Sequence, residues 1–174
     1  MSFVPDSFTP PLEWHGEHFQ LQVLAPRYVE QDLAAVRASA GDIRYVFGPA
    51  NGWPDADMEY AENLADLARH EVEFQQRKAF AYAMLDPCGE RYLGCVYIRP
   101  IKSRLDGDLR KTRFQAQLFF WLSSLQSDID AQQVLQALQP WLAACWPFAA
   151  VAYPGREIDW PSWERMARDP MHHG

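Results

Sequence analysis

Residues 91–100 (RYLGCVYIRP) and residues 113–122 (RFQAQLFFWL) both read as apolar strands, and Asp106-Gly107 lies between them. Asp-Gly is a strong hairpin signal, because glycine accepts the positive φ that the favoured two-residue turns require. The sequence therefore predicts antiparallel neighbours, residues 93–98 beside residues 114–122, joined at that turn. The second strand runs directly into residues 123–128 (SSLQSD) and then into a long amphipathic stretch. A strand entering a helix is a common place to hold phosphate, since the first N–H groups of the helix point outward and glycines let the backbone approach an anion. Yet no glycine occurs between Gly107 and Gly155.

A chain of 174 residues fits one domain and buries roughly 70% of its unfolded surface, enough for a core without staples. The expected organisation is an extended N-terminal arm over residues 1–16, broken by Pro5, Pro10 and Pro11, followed by a single domain over residues 17–174. Three cysteines (Cys88, Cys95, Cys145) without C-x-x-C spacing point to reduced thiols and a cytoplasmic setting. The N-terminus lacks a basic and an apolar signal region, and no apolar run reaches membrane-span length. A formal charge of −7 opposes nucleic acid and anionic membranes at long range, so neither is an expected partner. Assembly as a homodimer is left open.

Residues 18–24 alternate apolar and polar and predict a half-buried strand. Pro26, Val29, Leu33 and Val36 predict a first helix to about Ser39. Residues 48–54 (GPANGWP) are a loop carrying Trp53. Asp55 or Asp57 is the expected cap of a second helix with Ala61, Leu64, Ala65, Ala68 and Val72 as its apolar stripe. Residues 79–85 make a strand that meanders with the two central ones. Ser127 or Asp128 is the expected cap of a third helix presenting Ala131, Val134, Leu135, Leu138, Trp141, Leu142 and Cys145, bent or broken at Pro140. Residues 149–153 form a last short strand, and residues 158–166 a short helix or packed tail.

This order predicts an α+β fold with a mixed, mostly antiparallel sheet flanked by helices. Together with residues 92–100 and the strand ending Phe120-Trp121-Leu122 before a helix, it resembles the GCN5-related N-acetyltransferase (GNAT) superfamily. More narrowly, residues 62–70, 93–98 and 146–156 resemble a GNAT-like subgroup with a degenerate pyrophosphate-binding loop. The resemblance implies an acyl-CoA-dependent N-acyltransferase whose acceptor is a small-molecule amine or a protein. It places acetyl-CoA or another acyl-CoA between two splayed strands, with Trp121, Leu122, Ser123, Ser124 and Ser127 as cofactor-binding residues. Tyr153 is then the general acid for the departing thiolate, and Glu157 or Asp159 the nearest base. Arg44, Phe47, Trp53 and Tyr97 fall in the acceptor-binding region, and Tyr97, Trp121 and Tyr153 are brought together as an aromatic cleft.

The family's Gln/Arg-x-x-Gly-x-Gly/Ala signature is missing from residues 122–130, which hold two acids in its place. Larger side chains keep the backbone from a diphosphate, and Asp128 and Asp130 repel it. The alternative is a non-catalytic GNAT-like domain that binds a small ligand or a protein partner. Lys102, Arg104, Arg110, Lys111 and Arg113 crowd the turn between the central strands, most simply as a solvated tip that blocks edge pairing. His15-x-x-His18 lacks a third ligand for a metal, and His172-His173 lies at the terminus. Cys95 and Cys145 fall on predicted apolar faces, where a thiol stays protonated and inert.

Overall fold

The computed structural model describes residues 2–168, and His172-His173 lies outside them. Its sheet has six strands in spatial order β1 to β6: Glu13–His15, Gln20–Val23, Phe80–Leu85, Tyr92–Arg99, Ala116–Leu122 and Val151–Ala152. The central expectation holds. Strands β4 and β5 are antiparallel neighbours, with Gly94 opposite Leu122 and Arg99 opposite Gln117. Strand β1 adds an edge within the arm, and Val4 of the arm is buried against the core.

Period two along β5 sets the layers. Leu118 and Phe120 face one side, where helix α4 (Ala131–Cys145) packs through Val134, Leu138, Trp141 and Leu142. Phe119 and Trp121 face the other side, covered by helices α1 (Val29–Ile43) and α2 (Tyr60–Gln75). Only the last strand is parallel: β6 pairs with β5 at Ala116–Val151 and Gln117–Ala152 and then parts from it. Helix α5 (Trp160–Arg168) follows, and Trp160 stacks on Phe119.

Several local expectations are corrected. Asp106-Gly107 does turn the chain, with Gly107 at φ 76°, but it does not close a tight hairpin. The connection from β4 to β5 spans residues 100–115 and includes the five-residue helix α3 (Leu109–Arg113), capped by Asp108. Arg113 therefore ends a helix and does not open β5. The first helix runs past Ser39 to Ile43 after a 3₁₀ turn at Pro26–Tyr28. Helix α2 starts at Tyr60 without a side-chain cap, so neither Asp55 nor Asp57 serves it.

Its buried face is Asn63, Leu67, His70 and Phe74, and the predicted stripe is rotated away, with Val72 46% exposed. Helix α4 is capped by Asp130 in a capping box with Gln133, a few residues beyond the expected Ser127 or Asp128. It continues through Pro140, which lies on the exposed side, where water can serve the carbonyl that loses its donor. Cys145 is exposed, whereas Cys95 is buried as expected.

Candidate functional site

A cavity of about 520 Å³ opens between α2, β4 and residues 47–53. Its wall shows why the polar residues of α2 turn inward. Asn63 Nδ2 donates to Asp32 Oδ2 (2.9 Å), and the same carboxylate accepts Tyr92 Oη at 2.5 Å and Cys95 Sγ at 3.3 Å. Asp32 on α1 is 3% exposed, and burial raises its pKa, partly offset by those donors. The Cys95 thiol is pushed well up, first by burial and then by the Asp32 charge, so it stays protonated. Beside this network Trp121 Nε1 donates to Tyr97 Oη (2.9 Å).

Two further side chains line the cavity. His70 is buried, with its ring 5.5 Å from that of Tyr97; desolvation, then the charges of Arg69 and Arg99, lower its pKa to about 3. It is a neutral imidazole at any working pH. Arg99, at the end of β4, lies over Phe47 with its guanidinium carbon 4.1 Å from the ring centre.

A second cavity, about 340 Å³, sits where β6 leaves β5. Trp121, Leu122, Ala131 at the start of α4, Arg44, Arg156 and Trp160 line it. Arg156 Nη2 donates to the Phe120 carbonyl (2.8 Å), and its guanidinium lies 4.0 Å from the Phe120 ring centre.

Most N–H groups of the loop entering α4 are bonded within the protein. The Ser123 N–H reaches Leu93 O, Ser124 N–H reaches Ser39 Oγ, and Leu125 N–H reaches Ser123 Oγ. Gln126 N–H bonds Ser123 O, while the Gln126 side-chain oxygen takes the N–H groups of Asp128 and Ile129. Asp130 and Gln133 then cap each other. The Asp130 carboxylate lies at the helix start, and no described residue takes the N–H groups of Ser127, Ala131 and Gln132.

Six of the ten predicted site residues line one or other of the two cavities. Phe47, Trp53 and Tyr97 line the larger one. Arg44 does not join them: Tyr45 turns the chain at φ 67°, and Arg44 lines the smaller cavity with Trp121 and Leu122. Ser123 is buried, Ser124 Oγ bonds Asp42 (2.7 Å), and Ser127 is exposed. Tyr153 does not join Tyr97 and Trp121; it packs in the core on the α4 face, and burial with the nearby Glu157 charge raises its pKa to about 12. Asp159 serves as a cap for α5, accepting Ser162 N–H and Oγ, and Glu157 bonds Gln139.

Asp32, Asn63, His70, Arg99 and Arg156 were not singled out from sequence. The spacing of Asn63, Leu67, His70 and Phe74 was the available signal for two of them, since it repeats at helical period with polar residues at two of its four positions.

A six-stranded, mostly antiparallel sheet with helices on both faces and a parallel last strand is a GNAT-like fold. Among solved structures the chain is similar to a ribosomal-protein-S5-alanine acetyltransferase from Vibrio fischeri, at 12% identity and TM-score 0.52, over 76% of this chain and 68% of that one. It is also similar to a ribosomal L7/L12 alpha-N-protein acetyltransferase in complex with coenzyme A, at 15% identity and TM-score 0.53, over 76% and 66%. A third is the microcin C7 self-immunity acetyltransferase in complex with acetyl-CoA and AMP, at 13% identity and TM-score 0.51, over 72% and 63%. The chain thus spans about two thirds of the length of these neighbours. No family model and no curated protein matches the sequence.

Proposed function

We propose that this domain transfers an acyl group from an acyl-coenzyme A donor to an amine, with the donor entering where β5 and β6 part and its phosphates met by arginine side chains. The observation that carries this reading is the second cavity, which puts Arg44 and Arg156 beside the first residue of α4. Neither guanidinium is in an ion pair with a described residue, and burial lowers the pKa of Arg156, as expected of a cation without a counterion. Two forked cations can replace backbone N–H groups as phosphate partners. Coenzyme A supplies the activated thioester. On the protein side, Tyr153, the first residue beyond the last β5–β6 pair, is proposed to hold a proton for the departing thiolate, which requires the thioester to reach past the second cavity to the α4 face where this ring packs. A phenol whose pKa is raised to about 12 stays protonated at working pH, so it donates and does not accept.

The second reading is a non-catalytic domain that keeps the fold and the larger cavity for a small ligand or a protein partner; the observation behind it is that most N–H groups of the loop before α4 already bond protein atoms. Calorimetric titration with acetyl-CoA separates the two. Side-chain grip alone predicts weak binding, Kd about 100 μM or above, equivalent to about −5.5 kcal/mol or less favourable. Submicromolar binding would contradict that grip, and no heat up to about 10 mM, roughly −3 kcal/mol, would select the second reading.

Tyr153→Phe keeps the ring packing and removes the proton. Turnover of acetyl-CoA on an amine panel should fall about 100-fold, while stability changes by about 1 kcal/mol or less. Unchanged turnover would remove Tyr153 from the reaction.

A further inference from the structure

Arg99 is a cation without an ion-paired acid; Glu73 attracts it only at a distance. Its guanidinium carbon lies 4.1 Å from the centre of Phe47, 5.0 Å from Tyr97 and 6.0 Å from Phe119, so aromatic rings line one side of it. No hydrogen bond or ion pair ties it to any described residue, and burial lowers its pKa. The acids nearby are engaged elsewhere. Glu73 lies 3.0 Å and Asp66 3.6 Å from the guanidinium of Arg69, and Asp32 serves the network with Tyr92, Cys95 and Asn63. Trp146 Nε1 is the one fully buried side-chain nitrogen or oxygen without a partner among the described residues. The unpaired nitrogens of Arg99 and His70 therefore open onto the 520 Å³ cavity that both residues line.

A desolvated arginine held against aromatic rings presents a flat fork of N–H donors, and the group that matches it in shape and charge is a carboxylate. Next to it His70, neutral because of burial and of the Arg69 and Arg99 charges, offers one donor and one acceptor nitrogen. An imidazole kept uncharged can accept from an ammonium without repelling it. The cavity is within the size range of small-ligand sites. Phe47 and Trp53 give it an apolar wall.

We infer that this cavity binds a small molecule carrying both a carboxylate and an amine, an amino-acid-type ligand, with the carboxylate on Arg99 and the amine toward His70. The amine half deepens the acyl-transfer reading and rests on it. The carboxylate half rests on Arg99 alone, and its test uses no acyl donor, so failure of one is distinguishable from failure of the other.

The probes are the twenty amino acids, their carboxamides, acetate, succinate and inorganic phosphate, screened by thermal unfolding and titrated by calorimetry. At least one amino acid should raise Tm by about 2 °C or more at about 10 mM, and its carboxamide should not. Arg99→Gln removes an unpaired charge and should keep the fold, with an unchanged near-UV spectrum, while weakening that amino acid about 30-fold or more. Arg99→Lys keeps the charge without the fork and should recover only part of the loss.

Carboxamides that bind as well as the acids, or an Arg99→Gln protein that binds like the wild type, would overturn the assignment. Binding of phosphate but of no carboxylate would overturn the ligand class, and no carboxylate binding tighter than about 10 mM would overturn the site. Acetate or succinate binding as tightly as the best amino acid would overturn the amine half alone.

Discussion

Asp32→Ala should destabilise the protein by about 3 to 5 kcal/mol, because it strands several buried donors at once. Tyr92 Oη, Asn63 Nδ2 and Cys95 Sγ all direct hydrogen bonds to this one carboxylate, and Asp32 is 3% exposed, so water cannot replace it without opening the α1–α2–β4 contact. Asp32→Asn keeps an acceptor and should cost less. The two variants also separate charge from hydrogen bonding through pH. Burial raises the folded pKa of Asp32 above its ordinary 3.8, so between those values the folded protein holds a proton that the unfolded chain has released. This group's contribution to stability is complete below 3.8, declines as pH rises through the folded pKa, and is flat beyond it. Urea midpoints measured from pH 4 to 8 should show that slope in the wild type and lose it in Asp32→Asn. An Asp32→Ala protein within about 1 kcal/mol of the wild type would show that the network contributes no specific stability.

What was legible in the sequence follows from periodicity, and what was missed follows from polar residues that periodicity does not rank. Residues 92–99 and 116–122 are short, nearly continuous apolar runs with the Asp106-Gly107 turn between them, enough to read two buried strands and their antiparallel pairing, and the order of elements carried the fold class. Helix α2 shows the limit. Leucines and alanines on several faces made one stripe plausible, but Asn63 and His70 occupy the inward face because Asp32 and the cavity are there to receive or use them. A tertiary partner of that kind has no local signature. Phe47, Trp53 and Tyr97 line one cavity, whereas Tyr153 packs on the opposite face of the sheet. Residue-to-residue alternation near the end of a two-residue strand is too short to fix a face. The missing glycines before α4 were legible, whereas the hydrogen bonds of that loop to its own side chains, to β4 and to α1 were not.

Gly94→Ala should be among the most damaging single-atom changes in the chain, costing about 3 kcal/mol or more and lowering Tm by more than 5 °C. Gly94 lies in β4 opposite Leu122, at φ 156°, and a Cβ there would run into the carbonyl oxygen of Trp121. That atom is backbone within a central strand, so no side-chain rotation relieves the clash. Met84 pairs with Gly94 on the other side, where a register irregularity already interrupts β3–β4 pairing between Met84 and Leu85. The only relief is to push β5 away. Movement of β5 would carry Trp121 off Tyr97 Oη and change both cavities, since Trp121 lines the smaller and Tyr97 the larger. Gly41 supplies the opposite sign. It lies on exposed α1 with nothing within 4 Å of a Cβ, so Gly41→Ala should stabilise by up to about 1 kcal/mol through helix propensity and a less flexible unfolded chain. Thermal and urea unfolding of the two variants, with tryptophan emission reporting on Trp121, read both effects together. Equal stability of Gly94→Ala and the wild type would mean that β4 and β5 do not approach as closely at Gly94 as their pairing requires.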